Sequence, residues 1–262
     1  QSVLFPRGDL TSIPALPELA GRGARVVAPV VYRTVPVVSA AASLTDALRD
    51  TGKAYQSKSK HKILLTLGPS NFLARQIDEG APADMFFSAD LAQMELLERN
   101  GRLEPGTRKN LLSNQLVIVG PADSRLAIAS PRDLLKPEIK KIALADPAAV
   151  PVGVYTSKYL ADEGLWDKVN PKVVPVLDVR ATLPAVESGN VEAGIVYKTD
   201  AAMSQKVKTA FEVPIDKAPK IIYPVAIVKD SKKKEAARDF LNYALSPPGK
   251  AAFRKYGFVV FD

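Results

Sequence analysis

Two serines lie where a hydroxyl group can bind a ligand or react. Ser43 lies in AAASLTDAL and Ser70 in LTLGPSNFLARQI, each after an apolar run and at the start of a helical pattern. A serine at this place can cap the helix by accepting a hydrogen bond from a free amide, and Asp46, three residues after Ser43, fits that interpretation. Such a hydroxyl can also donate to an anion or, beside a general base, act as a nucleophile. Two serines after neighbouring predicted strands favour a shared role.

Three further groups follow predicted strands in the second part of the chain. Val152 lies between Pro151 and Gly153 in ADPAAVPVGVYTSKYL, in a predicted loop before a helix, so its amide is expected to be free of sheet pairing. Val179 begins a predicted helix in LDVRATLPAVESG, which leaves its amide among the unpaired donors of the first turn. Tyr197 ends a predicted strand in GIVYKTD. Its phenol either reaches over the strand end or packs in the core.

These five groups would form an anion site if the fold brings them together. Hydroxyls and backbone amides at helix N-termini bind anions through partial charges, without an arginine. A hydrogen bond to a charged group contributes roughly 1.5 to 3 kcal/mol. About six or seven such donors therefore suffice for sub-micromolar affinity once the cost of ordering is subtracted.

Composition excludes several other kinds of site. The 262 residues contain no cysteine and one histidine, His61, which leaves little material for a metal centre or a catalytic triad. We therefore expect no cofactor and no bare metal cation bound by side chains. With 36 basic and 28 acidic residues the net charge is +8, which attracts nucleic acid, acidic membrane surfaces or small anions. None of the apolar runs approaches the roughly 18 residues of a membrane span.

Short apolar runs alternate with helical patterns, which predicts an α/β protein with largely parallel sheets. The predicted strands cover 34–41, 62–68, 83–90, 114–121, 141–146, 172–177, 192–200 and 223–230. The predicted helices cover 44–56, 71–80, 91–101 after an Asp90 cap, 155–163, 180–188, 200–207 and two segments within 232–260.

The chain is predicted to form one α/β lobe, build a second and return to the first. Lobe I comprises residues 34–115 plus 225–262 and lobe II residues 116–224, joined by two crossing strands with a cleft between the lobes. Residues 1–33 are rich in Pro, Gly and Arg and lack the apolar stretch of a secretory signal. We interpret them as an N-terminal extension of vector or linker origin, because LFPRG looks like a protease site.

Over roughly residues 34–260 the chain resembles the periplasmic molybdate-binding proteins of ABC transporters, the ModA family. The matching stretches are AAASLTDAL, GPSNFLARQIDEGAPADMFFSAD, ADPAAVPVGVYTSKYL, GLWDKV, DVRATLPAVESGNVEAGIVYKTDA and FLNYALSPPGKAAFRKYGF. The resemblance implies a type II periplasmic-binding-protein fold and a monomeric, non-enzymatic receptor that passes molybdate or tungstate to a permease. It also implies that the ligands are the Ser43 and Ser70 hydroxyls and amides, the Val152 and Val179 amides and the Tyr197 hydroxyl.

Three positions depart from the family pattern. Val152 stands where a small residue is common and is expected to narrow the cleft. Asn71 stands where Ser or Gly is common and either adds a donor or caps a helix. Pro184 lies inside the helix after Val179, where it removes a backbone hydrogen bond and is expected to kink the helix.

Three alternatives remain open at this point. A receptor for another tetrahedral oxyanion such as sulfate uses the same donors. A hydrolase would use Ser43 or Ser70 as nucleophile, but the sequence has no G-x-S-x-G motif. A nucleic-acid binder would use the basic run KDSKKKEAAR, which lacks the interleaved aromatic residues that stack on bases.

Overall fold

The computed structural model describes residues 35–59 and 61–261, and the predicted extension over 1–33 lies outside them. The described strands are β1 (Val37–Ala41), β2 (Leu64–Gly68), β3 (Met85–Phe87), β4 (Lys109–Ser113), β5 (Leu116–Pro121), β6 (Ile142–Ala145), β7 (Val173–Val176), β8 (Ala193–Tyr197), β9 (Val207–Glu212), β10 (Tyr223–Ile227) and β11 (Val259–Val260). The described α-helices are α1 (Thr45–Lys58), α2 (Ser70–Asp78), α3 (Leu91–Arg99), α4 (Pro151–Asp162), α5 (Trp166–Val169), α6 (Val179–Glu187), α7 (Lys198–Ala201), α8 (Lys234–Leu245) and α9 (Pro247–Lys255). Within this part of the chain no helix is long and apolar enough to cross a membrane.

The strands form two sheets, each with strands of both directions. The first has the order β11-β4-β10-β3-β1-β2. In it β1 is parallel to both β2 and β3, whereas β10 is antiparallel to β3. The second has the order β7-β6-β8-β5-β9. In it β6 is parallel to both β7 and β8, whereas β5 is antiparallel to both β8 and β9. The predicted α/β class is confirmed. The prediction of largely parallel sheets is wrong, because four of the nine described strand pairings are parallel and five are antiparallel.

The chain passes between the two sheets twice. The first sheet takes its strands from 37–113 and 223–260, and the second from 116–212. β10 already begins at Tyr223, two residues before the predicted boundary at 225. The exact lobe boundaries stay a prediction.

Four helices begin where a parallel strand ends, which is the usual place of a ligand in open α/β sheets. A short 3-10 turn (Ala42–Leu44) leads from β1 into α1, and α2 follows β2 after a single proline. In the second sheet α4 follows β6 and α6 follows β7. The N-termini of these helices therefore lie near the carboxyl ends of the parallel strands of both sheets.

The three strands β4, β9 and β11 were not predicted, and one predicted helix is wrong. The segment 200–207 is not a helix, because α7 ends at Ala201 and β9 begins at Val207. β9 lies at the edge of its sheet and pairs with β5, so long-range pairing outweighs its weak local pattern. The short β4 likewise depends on its partners β10 and β11. The helix predicted from 155 begins at Pro151, so the loop predicted around Val152 is its first turn.

The start of α4 packs closely against the end of β6. Gly153 lies in the first turn of α4, and a methyl group on its Cα would overlap the carbonyl oxygens of Ala145 and Asp146. These oxygens belong to the backbone and cannot move aside as a flexible side chain would. Gly153 therefore allows the N-terminus of α4 to lie directly on the strand end.

An arginine connects the two halves of the molecule. The Arg180 guanidinium in α6 forms an ion pair with Asp46 in α1, 2.8 Å from Nη2 to Oδ2, and another with Asp200 in α7, 2.6 Å from Nε to Oδ1. Asp200 is fully buried. Burial raises the pKa of Asp200 to about 7, although Arg180 acts in the opposite direction.

The first prediction concerns the packing of α4. Gly153→Ala should lower the free energy of unfolding by about 1 to 3 kcal/mol, because the added methyl group overpacks the backbone of the strand end. Gly52→Ala is the matched control, since Gly52 lies inside α1 with its nearest neighbours at 3.9 and 4.0 Å. It should leave stability unchanged or raise it by up to about 1 kcal/mol. Urea unfolding of both variants tests this, and equal behaviour would contradict it.

The second prediction concerns the pH dependence of stability. Because the folded-state pKa of Asp200 exceeds its ordinary value of 3.8, the folded protein retains a proton that the unfolded chain releases between about pH 4 and pH 7. The contribution of Asp200 is complete below pH 4 and is lost as the pH rises through 7. As the pH rises from about 4 to about 7 the parent protein loses this contribution and Asp200→Asn does not, so the variant should gain stability relative to the parent protein over that range.

Urea unfolding at several pH values measures this difference. The control is Asp216→Asn, which changes an exposed carboxylate in a turn. A constant difference between Asp200→Asn and the parent protein across the range would show that Asp200 does not titrate there.

Candidate functional site

A small cavity of about 20 Å³ lies between the strand ends of the two sheets. A cavity that holds one water has a volume of at least about 10 to 15 Å³, and pockets for organic ligands usually have about 300 to 1,000 Å³. The size therefore fits a compact ion. The residues that line it are Ala41, Ala42, Ser43, Pro69, Ser70, Ala89, Val150, Pro151, Val152, Asp178, Val179 and Tyr197. All five residues selected from the sequence are in this set.

Ser43 contributes a hydroxyl from the first half of the molecule, but it does not cap α1. It lies in the 3-10 turn before the helix, and the N-cap position is taken by Leu44, which makes no side-chain capping bond. The buried Ser43 Oγ instead lies 3.1 Å from the Tyr223 hydroxyl oxygen. The capping interpretation of Ser43 is wrong, because its partner is distant in sequence.

Ser70 is the first residue of α2 and likewise makes no capping bond. Its buried Oγ accepts a hydrogen bond of 2.9 Å from the Ala89 amide, which follows β3. A hydroxyl has one proton to donate. Because Ser70 Oγ already accepts from the protein, its own proton is free to be donated into the cavity.

Two helix N-termini supply backbone donors from the second half. Val152 is the second residue of α4, after Pro151, and the N-cap residue Val150 provides no side-chain acceptor. Val179 is the first residue of α6, where the Asp178 side chain accepts only from the Ala181 amide among the described contacts. The first amides of an α-helix have no intrahelical acceptor. Those of Val152 and Val179 thus lie at the cavity with the positive ends of two helix dipoles.

Tyr197 completes the set with a phenol at the end of β8. Its hydroxyl oxygen is buried and has no hydrogen-bond partner among the described residues. Burial raises the pKa of Tyr197 well above its ordinary value, with smaller contributions from Tyr223 and Tyr155. The phenol therefore keeps its proton and is a donor without an acceptor among the described residues, in the wall of the cavity.

The cavity contains donors but no basic side chain. None of the described lining residues is a lysine, arginine or histidine. Asp178 is the charged residue in the set, and its Oδ1 is engaged with the amide of Ala181 at 2.9 Å. The nearby Arg180 is paired with two carboxylates and is not in the lining set. The hydrogen-bond donors of the described cavity lining are thus amides and hydroxyls, which carry partial charges.

The three departures from the family pattern have different outcomes. Val152 is buried and keeps its place in the cavity wall. Asn71 neither lines the cavity nor caps α2, and its buried Oδ1 has no partner among the described residues. Pro184 lies inside α6, which nevertheless continues to Glu187, and Val179 remains at the cavity.

Sequence reasoning missed the residues that hold the serines. Ala89 is 19 positions from Ser70 and Tyr223 is 180 positions from Ser43. The neighbouring Asn114 also donates to the Tyr223 hydroxyl at 3.3 Å. No local pattern reveals these partners, although a tyrosine at the start of an otherwise aliphatic buried strand was a usable signal.

Comparison with known proteins agrees with this geometry. A sequence model of the bacterial extracellular solute-binding proteins matches residues 36–259. The molybdate-binding protein ModA of Haemophilus influenzae is 39% identical over 225 residues, covering 84% of this chain and 88% of that protein.

Two solved structures share the fold. The periplasmic molybdate-binding protein of Azotobacter vinelandii has a TM-score of 0.78 at 23% identity, covering 87% of this chain and 100% of its own. The sulfate-binding protein SubI of Mycobacterium tuberculosis has a TM-score of 0.75 at 20% identity, covering 88% of each chain. At these identities the two structures support the two-lobed fold alone.

The family match also decides between two classes of function. Extracellular solute-binding proteins bind a solute for transport and are not enzymes, so Ser43 and Ser70 are not nucleophiles of a hydrolase. The bound solute is a ligand and not a cofactor. The chain belongs to the bacterial extracellular solute-binding proteins, and within them to the ModA-like periplasmic binding proteins.

Proposed function

We propose that this protein captures molybdate or tungstate in the periplasm and delivers it, as a monomer, to the permease of an ABC transporter. The proposed ligands are the hydroxyls and amides of Ser43 and Ser70, the amides of Val152 and Val179 and the hydroxyl of Tyr197. The observation that carries the proposal is their convergence on one small cavity from both halves of the molecule. The 39% identity to a molybdate-binding protein supports the choice of ion.

The polarity of the donors favours a fully deprotonated oxyanion. Molybdate and tungstate present four oxygens that only accept hydrogen bonds, and the cavity presents protons from three hydroxyls and two helix N-termini. Phosphate carries a proton at neutral pH and would need an acceptor in return. Among the described lining residues these acceptors are the two serine oxygens, each of which already has a protein partner, and the Asp178 carboxylate, whose Oδ1 accepts from the Ala181 amide.

Delivery to a permease requires release as well as capture. Because the serines belong to one half and the other three ligands to the second half, a single ion satisfies all of the donors only when both halves surround it. Separation of the halves would remove about half of the hydrogen bonds at once. This division of the ligands suits a receptor that closes on its ion and opens at the transporter. The proposed partners are the oxyanion and the permease, and nucleic acid is not among them.

A receptor for sulfate is the second candidate. The sulfate-binding protein SubI has a similar fold, and sulfate is also a tetrahedral dianion that accepts hydrogen bonds on every oxygen. The two candidates differ in the size of the ion, so the cavity dimensions determine the preference. Competition between the ions decides between them.

Calorimetric titration with molybdate, tungstate, sulfate and phosphate tests the proposal. Molybdate and tungstate should bind with sub-micromolar Kd, and phosphate at least about a hundredfold more weakly, because one unmatched charged hydrogen bond costs up to about 3 kcal/mol. At a hundred times Kd the ion should add about 2.7 kcal/mol to the free energy of unfolding and raise Tm accordingly. Tighter binding of sulfate would favour the second candidate, and no binding of any oxyanion would refute both.

A further prediction concerns the phenol of Tyr197, which has no hydrogen-bond partner among the described residues. Tyr197→Phe should weaken molybdate binding by about 10- to 150-fold, the equivalent of one charge-assisted hydrogen bond. The ligand-free variant should be as stable as the parent or more stable. The change removes a buried hydroxyl that has no partner among the described residues, so no other group loses a hydrogen bond.

These opposite effects on affinity and stability separate a ligand from a residue of the core. Tyr159→Phe is the control, since Tyr159 is a buried tyrosine of α4 outside the cavity lining. It should not change the affinity. Unchanged molybdate affinity in Tyr197→Phe would remove Tyr197 from the site.

A further inference from the structure

Ser43 is joined to the place where the chain first crosses between the sheets. The Ser43 Oγ lies 3.1 Å from the Tyr223 hydroxyl oxygen, which itself lies 3.3 Å from Asn114 Nδ2. Asn114 lies between β4 and β5, and Tyr223 is the first residue of β10 after the second crossing. All three side chains are buried, so water does not compete for their hydrogen bonds.

The orientation of the Asn114 amide group is fixed by the backbone. The Gln115 amide donates to Asn114 Oδ1 at 2.9 Å, and because a backbone N–H can only donate, the atom it meets must be the oxygen. The Asn114 nitrogen therefore faces Thr199 Oγ1 at 2.9 Å and the Tyr223 hydroxyl. Asn114 thus donates to Tyr223, whose oxygen is an acceptor in this bond.

In the hydrogen bond between Tyr223 and Ser43, the Tyr223 hydroxyl must be the donor. Within the described residues Ser43 Oγ is the other hydrogen-bond partner of the Tyr223 hydroxyl, so it is the acceptor available to the phenolic proton. The reverse direction would leave that proton buried without an acceptor, which costs about 1 to 3 kcal/mol. Burial holds the pKa of Tyr223 well above its ordinary value, so the proton is retained.

We propose that Tyr223, oriented by Asn114, is a positioning residue for the oxyanion. Its hydroxyl donates a hydrogen bond to Ser43 Oγ, so the proton of Ser43 points away from Tyr223 and into the cavity. This inference rests on the proposed function and adds to it two residues that do not line the cavity. The Tyr223 ring also meets the Tyr197 ring edge-on, 5.9 Å between centroids. One side chain thus supports hydroxyl donors from both halves of the molecule.

A double-mutant cycle with molybdate tests the proposal. Tyr223→Phe keeps the ring contacts with Tyr197 and Phe258 and should weaken binding by about 2- to 10-fold, the value of one neutral hydrogen bond. In the Ser43→Ala background the same change should have no further effect on affinity, because the Ser43 hydroxyl through which Tyr223 acts on the ion is already absent. A purely structural role for Tyr223 would give additive losses.

Asn114→Leu provides a second, independent variant. It removes the donor that faces the Tyr223 hydroxyl without adding a charge near the oxyanion, so the phenolic proton is no longer directed to Ser43 alone. Its affinity should fall by no more than that of Tyr223→Phe, and this loss should also vanish in the Ser43→Ala background. Tyr55→Phe is the control, because Tyr55 packs on Phe240 outside the cavity lining and should leave binding unchanged.

The outcomes separate this inference from the function on which it rests. Failure of the parent protein to bind molybdate, tungstate or sulfate would refute the proposed function. Binding by the parent with additive losses in the cycle, or with parent-like affinity in Tyr223→Phe, would refute the positioning role alone. The melting temperature of each ligand-free variant identifies any that do not fold, and the other variant then decides.

Discussion

The structure depends on a group of hydrogen-bond donors that the protein itself leaves without acceptors. The two serine oxygens already have protein partners, the Tyr197 phenol has none among the described residues, and the amides of Val152 and Val179 begin helices. Burying unpaired donors costs free energy. In the proposed complex an anion of matching size accepts hydrogen bonds from these donors and recovers that free energy, so the groups that are costly to bury would also be the source of the affinity.

The two-sheet topology brings these donors together. In each sheet the parallel strands end at the same edge, and the helices that follow them begin there, so hydroxyls and amides separated by more than 100 residues meet at one cavity. Gly153 permits α4 to begin directly on the end of β6. Arg180 connects α6 to α1 while the Asp46 carboxylate balances its charge, which keeps a full positive charge from dominating the site.

Much of the fold could be predicted, and all five residues selected from the sequence line the cavity, because both follow from local patterns and from a family resemblance carried by ordered motifs. The role of each serine could not. A serine before a helix looks like a cap, and only the tertiary contacts with Ala89 and Tyr223 show that its oxygen is used elsewhere. The strands β4 and β9 were missed for the same reason, since their pairing with distant strands outweighs weak local preferences.

A site without a basic side chain has a consequence for selectivity. An arginine fork binds carboxylates and phosphates alike, since its full charge and its planar pair of donors match two oxygens of either group. Amides at helix ends and hydroxyls held by Ala89 and by the Asn114–Tyr223 pair are fixed in direction, so they stabilise an ion only where its oxygens lie in the right places. The net charge of +8 acts at longer range and speeds the encounter with any anion. Attraction and recognition are thereby assigned to different parts of the molecule, and a change in surface charge would alter the association rate far more than the choice of ion.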